Sequence, residues 1–401
     1  MIYRILAPLV AIILLMLGNG FFVSFTSLRL HDLAYEEWII GIVNSAYYLG
    51  MLTGAAQAEK IINRVGHIRA YAAYAGIGTA GLMAQGMFVH PLAWVFLRGI
   101  NGFCIAVYYV VVESWFLSTA TASTRGAILS IYMASLYLSQ SASQFILNFI
   151  NLDSAEPFMV TALLGALSAV PITLTKLPSP HLDESSGHSL KTLFKKSPFG
   201  FSGCLISGLI LSSIYSFAPL YAASNNYSVA GIMSVCILGG VTLQWPMGKL
   251  SDILDRRKVL FGVTAATMLQ SLFIICFDPV DLWVYISIYI LGGLIFTLYP
   301  LSITEVCDRL QPNDITKATG MLLLAYGFGA VLGPLLTPIS VDFAPSYGLF
   351  LFILLNTLVL MGIGIRSFIS RDPVPEDLQG DFVPLPRVSA VAYELDPRNE
   401  S

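Results

Sequence analysis

The chain has 401 residues, of which 56% are hydrophobic and only 11% are charged, and its formal net charge is −3. A soluble domain of this size is much less apolar, so the composition excludes a water-soluble globular protein and indicates a chain solvated by lipid. The small net charge gives no indication of a nucleic-acid partner, because in a membrane protein the position of each charge matters more than their sum.

Twelve apolar runs are each long enough to cross roughly 30 Å of hydrocarbon as a helix. The first six lie near residues 5–30, 38–58, 70–88, 91–117, 126–150 and 157–176. The other six lie near residues 200–222, 229–250, 259–277, 282–308, 316–340 and 347–369. The first run is not followed by a small-x-small cleavage site, so we expect it to be retained as a span. The sequence predicts an all-α membrane protein with twelve transmembrane helices.

These runs predict four regions. An N-terminal six-helix bundle is expected at 1–176 and a C-terminal six-helix bundle at 200–369. Residues 177–199 are rich in proline, serine and charge, which is typical of a polar linker. Residues 370–401 have scattered prolines and acids without an apolar period, and we predict a disordered cytoplasmic tail.

Basic residues predict the orientation. If the N-terminus is cytoplasmic, all of the 21 Lys and Arg residues except Arg29 and Arg98 fall on the cytoplasmic connections and ends. The opposite turns carry mainly acidic residues. The positive-inside rule therefore places both termini in the cytoplasm of a multi-pass protein.

Polar landmarks recur in the two halves at nearly one spacing, 192 or 193 residues. The pairs are Glu59 with Asp252, Glu113 with Glu305, and Arg125 with Lys317. A repeat of this kind indicates two homologous halves with parallel membrane topology, an organisation found in several transporter folds.

The residues around these landmarks resemble those of a known family. The segment Gly248–Lys258 (GKLSDILDRRK) resembles the signature loop between the second and third helices of each half in major facilitator superfamily transporters. Ala55–Arg69 resembles a degenerate first copy, in which Glu59 replaces the usual aspartate. The likeness covers about residues 1–370.

Two further motifs support the resemblance. The pattern Arg98-x-x-x-Gly102-x-x-x-Ala106 is similar to the fourth-helix motif of the superfamily, and Gly329-x-x-x-Gly333-Pro334 is similar to its glycine-proline motif, displaced to the eleventh helix. The stretch from Glu113-Ser114-Trp115 to Arg125-Gly126 resembles a bacterial branch whose substrates are mostly unassigned.

The resemblance implies two pseudo-symmetric six-helix bundles that carry a small-molecule substrate by alternating access, with the substrate held between the halves. It implies a monomer in the bacterial inner membrane, without a cofactor, and protons are a candidate coupling ion.

The sequence contains no phosphate-cradling glycine loop, HExxH motif or nucleophile triad, so an enzyme is not expected. A multidrug/proton antiporter is an alternative, although the fifth helix lacks the Gly-Pro motif often associated with antiporters. A non-transporting membrane sensor on the same scaffold is another.

Arg98 is the strongest candidate for substrate contact, because an ionisable residue within a span is costly and therefore usually functional. Asn101 lies one turn further along the same predicted helix. Arg98 is predicted either to bind an anion or take part in proton coupling in the central cavity, or to tie helices together through carbonyls and hydroxyls. Arg29, near the end of the first span, is predicted to reach the interface or to pair with an acid there.

Other polar residues at membrane depth are predicted to contact a small polar or weakly anionic metabolite. They are Asn19, Tyr108, Gln140, Tyr215, Tyr299 and Tyr326.

Charged residues near the cytoplasmic ends are predicted to form gates. Glu113 is expected to pair with Arg64 or Arg69, and Glu305 with Arg256 or Arg257. Either glutamate could instead carry a coupling proton. The predicted gate residues are Glu59, Arg64, Arg69, Glu113, Arg125, Asp252, Arg256, Arg257, Glu305 and Lys317.

Overall fold

The computed structural model describes residues 2–121, 123–175 and 190–370, together with Asp372, Val374, Gln379, Phe382 and Arg387. The side chains of residues 2–4, 312, 313, 316 and 317 are outside this description. The predicted linker up to residue 189, most of the predicted tail, and the Lys317 side chain therefore lie outside the described residues.

All regular secondary structure in the described residues is helical, and it divides into two compact units. The first unit contains α1 (Ile2–Asp32), α2 (Glu37–Val65), α3 (His67–Met87), α4 (Pro91–Thr119), α5 (Arg125–Ser143) and α6 (Glu156–Thr173). The second contains α7 (Leu190–Lys196), α8 (Pro198–Ser224), α9 (Val229–Ile253), α10 (Arg256–Phe277), α11 (Leu282–Cys307), α12 (Pro312–Phe343) and α13 (Gly348–Ser370).

Each predicted span corresponds to one long helix. Within the described residues, ten of these helices are long and apolar enough to cross a membrane. The other two, α3 and α5, have 21 and 19 residues, but their many small and polar side chains lower their mean hydropathy. The short α7, in the region expected to be an irregular linker, was not predicted.

Helix α5 ends earlier than the predicted span 126–150. After Ser143 the chain continues as a 3-10 helix over Gln144–Asn148. The Gln144 amide is fully buried; its Nε2 donates to the carbonyl oxygen of Gly20 and its Oε1 accepts from the Ser24 hydroxyl, both at 2.9 Å. These bonds to α1 hold the residue at which the α-helix gives way to the tighter 3-10 turn.

The two units repeat the same helix pairings. Helix α2 packs on α4 as α9 packs on α11, and α1 packs on α5 as α8 packs on α12. A methyl group on Gly102 of α4 would overlap the carbonyl oxygen of Tyr47 in α2, and one on Gly292 of α11 would overlap that of Cys236 in α9. Glycine at these positions lets the paired backbones touch, a packing mode common between membrane helices.

The turns between the second and third long helices of each unit are short. Gly66 alone separates α2 from α3, with φ 89°, a value that favours glycine. Leu254 and Asp255 separate α9 from α10, and the Asp255 carboxylate caps α10 by accepting a hydrogen bond from the Arg257 N–H at 3.0 Å. These tight turns place charged side chains at helix ends.

Candidate functional site

The candidate site is built around Arg98 in α4. This helix begins at Pro91, and the His90 imidazole caps it by accepting a hydrogen bond from the Leu92 N–H at 3.3 Å. Because an α-helix rises 1.5 Å per residue, Arg98 lies roughly 10 Å along the helix from that end. Its side chain is completely buried, with 0% exposure.

Two aromatic rings flank the Arg98 guanidinium. Its carbon lies 4.3 Å from the centroid of the Tyr47 ring and 5.5 Å from that of the Phe22 ring. A desolvated cation–π contact of this kind contributes about 2 kcal/mol. The Tyr47 hydroxyl accepts a hydrogen bond from Asn19 Nδ2 at 2.9 Å, so residues of α1, α2 and α4 meet at the guanidinium.

In the part of the chain that the structure describes, the guanidinium lacks a hydrogen-bond acceptor. Among the described residues, none of the Arg98 nitrogens has a partner, and Nδ2 of Asn101 is unpartnered in the same way. A buried cation without a compensating anion costs several kcal/mol, and each buried unpaired donor adds about 1–3 kcal/mol. This part of the first unit therefore presents clustered donors for which the described chain provides no acceptor.

A small cavity adjoins these donors. Its volume is about 30 Å³, which is room for about two water molecules. The lining contains polar residues from α1, α3, α4 and α6 among mainly apolar ones. The lining residues are Leu15, Asn19, Phe22, Gly78, Thr79, Leu82, Arg98, Asn101, Cys104, Ile105, Tyr108, Thr161 and Gly165.

The cavity brings together four predicted substrate residues, Asn19, Arg98, Asn101 and Tyr108. The fifth candidate of this unit, Gln140, lies on α5 and does not line this cavity. The Tyr108 hydroxyl donates to the carbonyl oxygen of Tyr74 at 2.8 Å, which fixes the ring against α3.

Tyr47 was missed by the sequence analysis, although its ring makes the closer of the two contacts with Arg98. A signal was present in the sequence: Tyr47, Gly50 and Gly54 recur at i, i+3 and i+7 and therefore share one face of α2. In the structure, methyl groups on these two glycines would overlap the backbone or Ala106 of α4, so this face is the one that packs against α4.

The predicted aromatic residues of the second unit form two separate contacts. The Tyr299 and Tyr326 rings lie 4.6 Å apart between centroids, and the Tyr215 ring makes an edge contact with Phe296 at 6.4 Å. Tyr299 is fully buried, whereas Tyr215 and Tyr326 are half-buried. The second unit therefore offers the partly accessible side chains of Tyr215 and Tyr326.

Glu305 and Arg256 belong to the predicted second-unit gate but have different ion-pair partners from those expected. Glu305 pairs with Arg309 at 2.9 Å and accepts a short hydrogen bond from the Ser197 hydroxyl. Arg256 pairs with Asp252 at 3.0 Å and Asp308 at 2.5 Å. Since Asp252, Arg256 and Asp308 lie on α9, on α10 and just after α11, these pairs tie three helix ends together.

Arg257 is also drawn into a local contact, because its guanidinium lies 3.4 Å from the Asp255 carboxylate in the same turn. The expected pairing of Glu305 with either Arg256 or Arg257 is thus replaced by bonds to nearer partners. Arg309 lies four residues after Glu305, just beyond the end of α11, and reaches it without any movement between helices.

Glu113, from the predicted first-unit gate, accepts a hydrogen bond from a tyrosine hydroxyl. It is fully buried and accepts from the Tyr132 hydroxyl at 2.6 Å, whereas its expected partners Arg64 and Arg69 are exposed. Glu59 and Arg125 are each engaged in further polar or electrostatic interactions.

Arg29 forms the ion pair with an acid that the sequence predicted. Its Nη1 lies 2.5 Å from Asp153 Oδ1, and its Nη2 donates to the Asp153 carbonyl oxygen at 3.2 Å. Arg29 is therefore an ion-paired residue at a helix end, whereas Arg98 is buried among aromatic rings.

Comparisons with known proteins agree with this architecture. A family model described as Major Facilitator Superfamily matches residues 9–334 and 232–391. An uncharacterized MFS-type transporter of Enterobacter sp. (strain 638) is 31% identical over 322 residues, covering 76% of this chain and 81% of the relative. The uncharacterized MFS-type transporter YcaD of Salmonella enteritidis is 28% identical over 333 residues, covering 81% of this chain and 86% of the relative.

Among solved structures, the nucleoside transporter NupG is similar with a TM-score of 0.74 at 16% identity, covering 93% of this chain and 100% of that one. At this identity the likeness shows a shared fold and nothing about the substrate.

Proposed function

Because the chain belongs to the major facilitator superfamily, we propose that it is a secondary active transporter that moves a small polar or weakly anionic metabolite across the bacterial inner membrane by alternating access. The buried Arg98 guanidinium carries this proposal, since none of its nitrogens has an acceptor among the described residues. An anionic substrate would supply the acceptor that this cation lacks.

A carboxylate matches the donors. The planar guanidinium can give two parallel N–H···O bonds to the two carboxylate oxygens. Asn101 Nδ2, also unpartnered within the described chain, would add a third donor one helical turn away. A cavity of about 30 Å³ accommodates a head group and not a whole metabolite, so the rest of the substrate would extend beyond it. Phe22, Leu82 and Ile105 would then contact carbon atoms next to the carboxylate.

The proposed orientation has both termini in the cytoplasm. The exposed Arg64 and Arg69 lie on the helix ends beside the turn between α2 and α3, and Arg256, Arg257 and Lys258 begin α10 beside the turn after α9. Basic residues of this density are retained on the cytoplasmic side during insertion.

The proposed gate of the second unit is the network of Asp252, Arg256 and Asp308. Charge-assisted bonds among three helix ends would resist their separation and would break when that side of the transporter opens. Glu113 is our candidate for a proton-binding group, because its carboxyl is fully buried and bonded to the Tyr132 hydroxyl.

The test uses purified protein and a bacterial metabolite extract separated by ion exchange into anionic, neutral and cationic fractions. We expect the anionic fraction to raise the melting temperature of the wild type. The compound responsible is then tested for uptake into proteoliposomes. Arg98→Lys should reduce this uptake at least about tenfold, the effect of one lost charge-assisted hydrogen bond. Arg29→Lys is the matched control and should leave uptake within about twofold, since surface pairs contribute about 0–1 kcal/mol. Stabilisation by the cationic fraction alone, or uptake unchanged in Arg98→Lys, would refute the anion proposal, and the former result would favour a drug antiporter.

A further inference from the structure

Phe382, which follows the last helix in the chain, contacts the signature loop of the second unit. The backbone N–H of Phe382 donates to Asp252 Oδ1 at 2.7 Å, although the two residues are 130 positions apart in the chain. Gln379, three residues earlier, also makes a hydrogen bond: its Nε2 donates to the Val374 carbonyl oxygen at 2.9 Å.

The Phe382 ring covers the first residue of the loop. A methyl group built on Gly248 would overlap the Cγ, Cδ1 and Cε1 atoms of that ring. Gly248 and Asp252 lie one helical turn apart on α9, so the ring and the N–H of Phe382 engage two adjacent points of the same helix face. Only a residue without a side chain leaves the ring this space.

The Asp252 oxygen that accepts from Phe382 is shared with the gate. Arg256 Nη2 lies 3.0 Å from the same Oδ1, and Arg256 Nη1 reaches Asp308 Oδ2 at 2.5 Å. The side chain of Asp252 is 29% exposed, whereas that of Arg256 is 2% exposed. Phe382 thus binds the carboxylate at the accessible side of the network that joins α9, α10 and the end of α11.

We propose that Phe382 is an intramolecular latch: it docks on Gly248 and Asp252 and restrains the turn between α9 and α10, so that its release precedes movement of the gate formed by Asp252, Arg256 and Asp308. The docked N–H holds Asp252 Oδ1 towards Arg256, and the ring shields the pair from water, which strengthens the ion pair. Separating the helix ends then requires Phe382 to leave. The latch does not depend on the identity of the substrate.

The latch can be tested by hydrogen exchange on the full-length protein in detergent, because amide exchange reports the local opening of a helix end. Phe382→Ala removes the ring. Gly248→Ala displaces the ring from the side of α9, because the added methyl group would meet atoms of the Phe382 side chain and not of the backbone. Both variants are expected to speed exchange of the amides of residues 250–258 about five- to tenfold, the effect of losing one such contact.

Gly262→Ala is the matched control, because a methyl group at this position on α10 meets nothing within 4 Å among the described residues. It should leave exchange at residues 250–258 at the wild-type rate. Peptides covering the first-unit turn at residues 60–69 provide an internal reference in every sample. The latch is refuted if Phe382→Ala leaves exchange at the wild-type rate, if Gly248→Ala does so, or if Gly262→Ala accelerates it equally.

Discussion

Replacing Arg98 with methionine distinguishes an arginine that binds substrate from one that ties helices together. Methionine retains apolar contact with Tyr47 and Phe22 but removes the charge and every N–H donor. The described residues offer these donors no acceptor in the empty protein, so the substitution breaks no hydrogen bond that they make.

The expected change in stability follows from two opposing contributions. Removing an uncompensated buried charge relieves a desolvation penalty of several kcal/mol. Losing the cation–π contact with Tyr47, at 4.3 Å, removes about 2 kcal/mol of stabilisation. We therefore expect Arg98→Met to raise the free energy of unfolding of the empty protein by about 1–3 kcal/mol, with a rise in melting temperature of roughly 2–4 °C per kcal/mol.

The assay is thermal unfolding of purified protein, with and without the anionic metabolite fraction. Ligand at 100 times its Kd stabilises a protein by about 2.7 kcal/mol, and Arg98→Met should lose this increment while gaining stability without ligand. Arg29→Met makes the same substitution at an arginine paired with Asp153 and should cost about 0–1 kcal/mol. A loss of more than about 1 kcal/mol in empty Arg98→Met would mean that the guanidinium bonds its neighbouring helices, and the argument for a substrate site would fail.

Three further predictions concern the same unit. Tyr47→Leu removes the ring that positions Arg98 and should weaken binding of the anionic compound about tenfold in a thermal-shift titration. Tyr47→Phe loses only the hydrogen bond from Asn19 and should change this binding less than about threefold. Equal effects of the two substitutions would exclude a role for the ring. Gly102→Ala forces α2 and α4 apart and should lower the free energy of unfolding by about 1–3 kcal/mol in a thermal unfolding experiment. In the control Gly76→Ala, the added methyl group meets nothing within 4 Å among the described residues, so this substitution should be neutral or stabilising. Similar melting temperatures for the two variants would contradict the close packing. If Glu113 binds the coupling proton, proteoliposome uptake should vary with pH in the wild type and become independent of pH in Glu113→Gln, and the same pH profile in both proteins would exclude it.

Apolar runs were enough to predict twelve long helices, because burial in lipid requires each span to be continuous and hydrophobic. The spacing of Glu59 with Asp252 and of Glu113 with Glu305 predicted a duplication, and the two units do repeat the same helix pairings. Arg98 stood out for a related reason, since a charge within an apolar run carries a large cost wherever its helix packs.

The partners of these side chains depended on which helix faces meet in three dimensions. Tyr47 reaches Arg98 because glycines bring α2 against α4, and Glu305 bonds Arg309 and Ser197 because these groups lie closest to it. Phe382 reaches Asp252 across 130 residues. The hydropathy of a segment records how much apolar surface it must bury. Hydrogen bonds and ion pairs, by contrast, extend only a few ångströms. The partners of these side chains therefore follow from how distant segments pack together and not from the order of the segments in the chain.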